Sequence, residues 1–106
     1  MHTSTKAKAI TTSTKKKVWE RQKGKSIISG KPITWNECCC HFVSRARGGL
    51  GIEENIVGMT YEEHMIFDLN QIGNHLAKHK LYRKIAKEHL EESYPGWNEE
   101  MCKWKK

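Results

Sequence analysis

The chain has 106 residues, of which 19 are Lys or Arg and 12 are Asp or Glu, giving a net charge of +7. Hydrophobic residues make up 37% of it, which excludes a membrane-spanning or largely disordered chain and indicates one small domain with a modest core. The positive charge favours a polyanionic partner. Nucleic acid is preferred to a membrane surface, because no basic amphipathic helix with a large aromatic face is evident.

The beginning of the chain is predicted to be a tail. Residues 1–13 are rich in Thr, Ser and Lys, so we expect a flexible basic segment there and a folded domain over residues 14–106. This segment has charges but no apolar core and is therefore unlike a secretory signal. We expect a cytoplasmic protein, with its four cysteines as free thiols or metal ligands.

The first half of the domain is predicted to be a helix followed by a hairpin. Thr14 is expected to cap a basic helix over residues 15–22. A short strand is expected over residues 26–28, and a long-looped hairpin from strands over residues 38–44 and 55–59, which are rich in small, β-branched and aromatic residues.

The second half is predicted to be helical. Thr60 and Glu63 have the spacing of a capping box, which predicts a helix through about Asn70. Apolar residues recurring at near-helical spacing predict a longer helix over residues 73–92. Asn98 is expected to cap a final short turn. The sequence therefore predicts an α+β fold: a hairpin and a helix, with further helices at both ends.

Three consecutive cysteines precede His41. Adjacent strand residues face opposite sides, so Cys38 and Cys40 should share one face while Cys39 and His41 share the other. Four consecutive residues cannot close a tetrahedron around one zinc ion, because structural zinc ligands come in separated pairs. We therefore expect Cys38 and Cys39 to pack as small apolar residues, and the strand to present His41.

Four polar residues around the predicted hairpin form a candidate site. His41 lies on the first strand, Asn55 opens the second, and His64 lies on the helix that follows. Asp68 is four residues after His64, on the same helical face. An imidazole and a carboxylate at this spacing suit a divalent cation, and a facing histidine is suited to activating water.

These residues carry a resemblance to a known family. The segments HFVSRARGGLGIEEN and EEHMIFD, with VWERQKGKSIISGKPI before them and YPGWNEE after them, resemble the small phage-type and bacterial HNH endonucleases. The resemblance covers about residues 15–104. It implies the ββα-metal motif of that family, with flanking N-terminal and C-terminal helices, and hydrolysis of DNA phosphodiester bonds.

The resemblance also implies roles for the site residues. His41 would be the general base, and His64 and Asp68 would be metal ligands. Asn55 would either bind the metal ion or hold the loop between the strands. The residue before the base is commonly Asp or His in this family; here Cys40 either supplies a thiolate or leaves that ligand absent, and its expected face favours absence. One divalent ion is implied, with Mg²⁺ favoured and Mn²⁺, Ni²⁺ or Zn²⁺ as alternatives.

Many members of the family hold a structural zinc ion with two C-x-x-C pairs. The matching positions here are Ser26 and Ser29 for the first pair, and Thr60 and Glu63 for the second. Hydroxyl groups are poor zinc ligands, so no structural zinc is expected. The apolar core would then hold the fold alone, with Trp19, Trp35, Phe42 and Trp97 as its large residues.

The expected partner is DNA. Candidate phosphate contacts are the basic residues of the glycine-rich loop and of the first helix: Arg45, Arg47, Lys15, Lys16, Lys17 and Arg21. A homodimer, or a phage packaging or restriction partner, is a further expectation by analogy. If the protein is phage-encoded, we expect it in the host-cell cytoplasm. The alternative function is a nucleic-acid-binding module that has the HNH fold without cleavage.

Overall fold

A computed structural model of the chain describes residues 7–68 and 75–105. Within these two ranges the fold is α+β, with three α-helices and a two-stranded antiparallel sheet. The elements in chain order are α1 (Thr12–Arg21), β1 (Cys40–His41), β2 (Ile56–Val57), α2 (Tyr61–Asp68) and α3 (Leu76–Ser93). None of the helices in the described ranges is long and apolar enough to cross a lipid bilayer.

The hairpin is present, but its strands are much shorter than predicted. Cys40 pairs with Val57 and His41 with Ile56. Beyond this pairing, the side-chain amide of Asn55 bonds to both the N–H and the carbonyl of Val43, in place of a strand partner. The short strands therefore result from a side chain that takes over the main-chain hydrogen bonds of the ladder.

The first helix was predicted over residues 15–22 but spans Thr12–Arg21 in the structure. Helix α1 begins at Thr12, inside the segment assigned to the tail, and Thr11 rather than Thr14 caps it: the Thr11 hydroxyl accepts a hydrogen bond from the Thr14 N–H. The expected strand over residues 26–28 is a turn, because the Ser26 hydroxyl accepts the N–H of Ile28.

The later helix boundaries follow the local signals. Thr60 and Glu63 exchange side-chain to main-chain hydrogen bonds, which confirms the capping box of α2. Asn98 accepts the N–H groups of Glu100 and Met101 and caps the last 3₁₀ turn as predicted. The expected extension of α2 to Asn70 and the start of α3 at residue 73 lie outside the described residues.

The core lies between the hairpin, α2 and α3. Phe42 contacts Trp97 edge-on at 5.5 Å between ring centroids and lies 6.5 Å from Phe67. Phe42 and Trp97 are buried as predicted. Trp19 is not, because its side chain is 36% exposed and its indole N–H donates to the carbonyl of Ile33 at the surface of the fold.

Arg21 connects elements that are far apart in the chain. Its guanidinium donates four hydrogen bonds: to the carbonyls of Glu53 and Ile56, to the Tyr94 hydroxyl and to His89 Nε2. These contacts tie the end of α1 to the hairpin and to α3. Burial, followed by the Arg21 charge, lowers the pKa of His89 to about 4, so this imidazole stays neutral and accepts the hydrogen bond.

A polar cluster lies where the turn after α1 meets the start of α2. The Ser26 hydroxyl donates to Glu63 Oε1 at 2.6 Å, and the Thr60 N–H donates to the same oxygen at 2.9 Å. Burial by itself raises the pKa of Glu63, but hydrogen bonds from Ser26, Ser29 and Thr60 outweigh it and the net pKa is lowered. A buried carboxylate thus supplements the apolar core in holding the fold.

Replacing the Glu63 carboxylate by an amide should make the stability of the protein less dependent on pH. Since the folded pKa is lowered, the carboxylate stabilises the fold above its unfolded pKa of 4.5, and this contribution is lost as the pH falls through the folded value. We expect Glu63→Gln to lower the free energy of unfolding at pH 7 by about 1 kcal/mol, and less at pH 3. Urea unfolding at both pH values measures this.

The matched control is Glu62→Gln. Glu62 is also in the first turn of α2 but is exposed, so both variants lose the same favourable position near the helix N-terminus. Equal destabilisation by the two variants at pH 7 would contradict a specific role for the buried carboxylate.

Candidate functional site

The loop between β1 and β2 is held by one buried side chain. Asn55 is fully buried, and its amide oxygen accepts the Val43 N–H at 2.8 Å. Its amide nitrogen donates to the carbonyls of Val43 and Leu50. Of the two roles open for Asn55, the structure favours holding the loop over binding a metal ion, because the amide oxygen is already engaged.

The turn that follows β1 carries the two arginines. Arg45–Arg47 form an exposed 3₁₀ turn that ends at Gly48, whose φ of 91° favours glycine. The next residue, Gly49, donates its N–H to the Ser44 carbonyl, and a Cβ there would collide with the carbonyl of Val43. The loop is therefore closed tightly, with its arginines outside.

Three side chains from β1 and α2 form a group compatible with a metal ion. The thiol of Cys40, the imidazole of His64 and the carboxylate of Asp68 offer donor atoms that all lie within 4.8 Å of one another. Of the two alternatives open for Cys40, this grouping favours a thiolate ligand over an absent one. Its thiol is buried, but at the edge where α2 meets the hairpin, below His64 and Asp68.

A hydrogen bond joins two members of this group. His64 Nε2 donates to Asp68 Oδ2 at 2.8 Å. This hydrogen bond, with smaller contributions from Cys39 and Cys40, raises the pKa of His64 to about 12. Burial raises the pKa of the Cys40 thiol to about 11. A metal ion binding here would replace the proton on His64 and the proton on Cys40.

His41 lies on the opposite face of β1 from Cys40 and is half-buried. Its Nε2 lies 2.9 Å from the main-chain carbonyl oxygen of Lys8. Burial is the largest influence on its pKa, which is lowered. A neutral imidazole near pH 7 has one nitrogen that can take up a proton, as a general base requires.

Two cavities meet at the candidate site. The first, here the Lys15 cavity, is lined by residues of the N-terminal segment, α1 and the loop; the second, here the Arg83 cavity, lies toward α3 and the last turn. Both are lined by His41, Ser44 and Asp68. The candidate base and one candidate ligand therefore border both cavities, which together are called the groove.

The predicted phosphate contacts divide between this groove and other surfaces. Lys15 and Arg45 line the Lys15 cavity, and Arg47 lines the Arg83 cavity. Lys16 instead lies over the Trp35 ring, and Lys17 lies 3.9 Å from the Glu53 carboxylate.

Arg21 differs from the other predicted phosphate contacts, because its guanidinium is occupied by hydrogen bonds within the protein. Its hydrogen bonds to the hairpin and α3 give it a structural role in place of the predicted DNA contact.

Arg83, which the sequence did not indicate, also lines the groove. The Arg83 guanidinium lies over the rings of Phe42 and Phe67, at 4.4 and 5.2 Å from their centroids, and donates to the Phe42 carbonyl. It lines its cavity together with Arg47 and Lys103. Arg83 is one of several basic residues on α3, and no local pattern distinguishes it from its neighbours.

No protein-family model matches the chain, and comparisons with curated proteins and with solved structures find no significant match. The function of the site is therefore inferred from its geometry alone. A half-buried imidazole, a group of metal donors and a groove with arginines on both sides suit a reaction on an anionic substrate.

Removing the Cys40 thiol should weaken metal binding. We expect Cys40→Ala to lower the affinity for Zn²⁺ by about tenfold to a hundredfold, because one of three donors and its thiolate charge are lost. Isothermal titration calorimetry measures the affinity directly. Cys38→Ala is the matched control, since Cys38 is equally buried but is not part of the donor group. Equal affinity of the two variants would exclude Cys40 as a ligand.

Proposed function

We propose that this protein is a metal-dependent HNH-type endonuclease that hydrolyses phosphodiester bonds in DNA. The observation that carries the proposal is the meeting of His41, from β1, with the His64 and Asp68 pair of α2 in one groove that has arginines on both sides. The order of hairpin then helix is the order that the ββα-metal motif requires.

The polar cluster at Glu63 is a second, independent support. The resemblance requires the turn after α1 and the start of α2 to face each other, because their matching positions hold one zinc ion in many relatives. Here Ser26 bonds directly to Glu63, and Thr60 bonds to the same carboxylate. In this proposal, hydrogen bonds connect the positions that zinc connects elsewhere.

His41 acts as the general base. It takes a proton from a water molecule as the water oxygen forms a bond to the scissile phosphorus and the bond from phosphorus to the 3′ oxygen breaks. Cys40, His64 and Asp68 would hold one divalent ion, which supplies stabilisation of the negative charge that develops on the phosphoryl and leaving oxygens. Asn55 positions His41 indirectly, by fixing the loop that follows β1.

The donor set changes the preferred ion. Mg²⁺ prefers oxygen ligands and near-ideal octahedral geometry, whereas a thiolate with an imidazole suits softer ions. The sequence favoured Mg²⁺, but a site that includes Cys40 favours Zn²⁺ or Ni²⁺.

The groove provides a path for a DNA strand across the candidate base. Lys15 and Arg45 would contact phosphates on one side of His41, and Arg47 and Arg83 would contact them on the other. These contacts are to the phosphate backbone, which carries no sequence information directly.

Loss of His41 should abolish cleavage while leaving DNA binding in place. In a plasmid-relaxation assay with Mn²⁺, Ni²⁺, Zn²⁺ or Mg²⁺, we expect His41→Ala to reduce the cleavage rate by at least about a hundredfold, because proton transfer to a positioned base contributes on that order. Excess chelator should stop the wild-type protein, and electrophoretic mobility shifts should show unchanged binding.

Absence of cleavage with all four ions, together with salt-sensitive DNA binding by both proteins, would favour the alternative. The protein would then be a binding module that has the HNH fold without catalysis.

Arg83 should contribute to binding of the DNA strand. We expect Arg83→Gln to weaken binding about fivefold to tenfold and to reduce the salt dependence of log Kd by roughly one phosphate contact. Lys87→Gln is the control, since Lys87 is exposed on the same helix and is not among the residues that line the two cavities. An equal loss of affinity in both variants would indicate only a general effect of charge.

A further inference from the structure

Residues 7–10 lie against the candidate site. The Ala7 carbonyl accepts the Gly51 N–H at 2.9 Å, and the Ile10 side chain packs on the apolar cluster that includes Val18 and Ile56. Ile10 and the neighbouring Ala9 also line the Lys15 cavity. We call residues 7–10 the N-terminal strap.

The strap makes direct contact with His41. The Lys8 main-chain carbonyl lies 2.9 Å from His41 Nε2. A carbonyl oxygen can only accept a hydrogen bond, so Nε2 carries the proton when the imidazole is neutral. The remaining ring nitrogen, Nδ1, is then the one with a free lone pair. The contact therefore selects one of the two neutral tautomers of His41.

We propose that the N-terminal strap is a working part of the site, in which the main-chain carbonyl of Lys8 positions His41 and fixes Nδ1 as the nitrogen that accepts the proton from water. This rests on the proposed function, in which His41 is the general base. Lys8 is a positioning residue, since it acts through His41. The Lys8 side chain has no part in this role.

The wall geometry favours a positioning strap over a cover. His41, His64 and Asp68 all line the Lys15 cavity with the strap in place, so the strap borders the site without closing it. The hydrogen bond also holds the ring at a fixed angle relative to the groove. Open access to the cavity and a fixed orientation of the ring both lower the free-energy cost of bringing the base to its water molecule.

The strap packs directly against Gly51. It is buried, and a Cβ at this position would collide with the main-chain carbonyl of Ala9 and crowd that of Lys8. Because the obstacle is main chain, a side chain at residue 51 can be accommodated only if the strap and the loop that carries residue 51 move apart. Gly51→Ala thus displaces the strap in a full-length chain.

The experiment compares four proteins: wild type, Gly51→Ala, a deletion of residues 2–6 and a deletion of residues 2–9. Deleting residues 2–6 leaves the strap intact, whereas deleting residues 2–9 removes the Lys8 carbonyl and keeps the Thr11 cap of α1. Circular dichroism checks that each protein is folded.

Two measurements are made on each protein. Long-range ¹H–¹⁵N NMR at pH 8 reports the tautomer of His41 without any substrate. Plasmid cleavage gives kcat and KM separately. We expect Gly51→Ala and the longer deletion to lose the single Nε2–H tautomer and to lower kcat about tenfold with KM changed by less than about twofold, in line with loss of base orientation. The shorter deletion should match wild type.

Retention of the Nε2–H tautomer and of kcat in both strap variants would overturn the proposal. A rise in kcat would overturn it as well, because the strap would then be a cover over the site. If the wild-type protein does not cleave DNA, the proposed function fails, and the NMR measurement still decides whether the strap fixes the tautomer of His41.

Discussion

The buried side chain of Asn55 is the interaction on which the candidate site depends. Its amide satisfies the main-chain groups of Val43 and the carbonyl of Leu50, so a loop of more than ten residues closes on a strand pair only two residues long. Each buried main-chain group left unpaired would cost about 1–3 kcal/mol. The position of the strand that carries His41 follows from this one amide.

The elements around the hairpin are joined by polar contacts as much as by apolar packing. A chain of this size buries only a modest core. Arg21 links α1 to β2 and α3, and the Glu63 carboxylate links the turn after α1 to the start of α2. Because each of these groups is paired with several partners, its burial contributes directional contacts that fix the relative positions of the helices.

The two faces of β1 have different tasks. Cys40 lies on the buried face and meets His64 and Asp68 from α2, while His41 lies on the other face and meets the N-terminal strap. The period of two in a strand makes adjacent residues face opposite sides. A donor group and an imidazole from neighbouring residues can thus border the same groove while remaining in separate environments.

The sequence by itself determined the features that depend on neighbours along the chain. The capping box of Thr60 and Glu63 and the pairing of His64 with Asp68 one helical turn apart both follow from local spacing. Only the tertiary structure decided the contacts of Arg21 and Arg83, the hydrogen bonds of the Asn55 amide and the contact between the strap and His41. Those contacts join a side chain to main-chain groups or rings that are distant in sequence. Such partners leave no periodic or local signal in the sequence. The surroundings of an arginine side chain are therefore known only once the chain has folded.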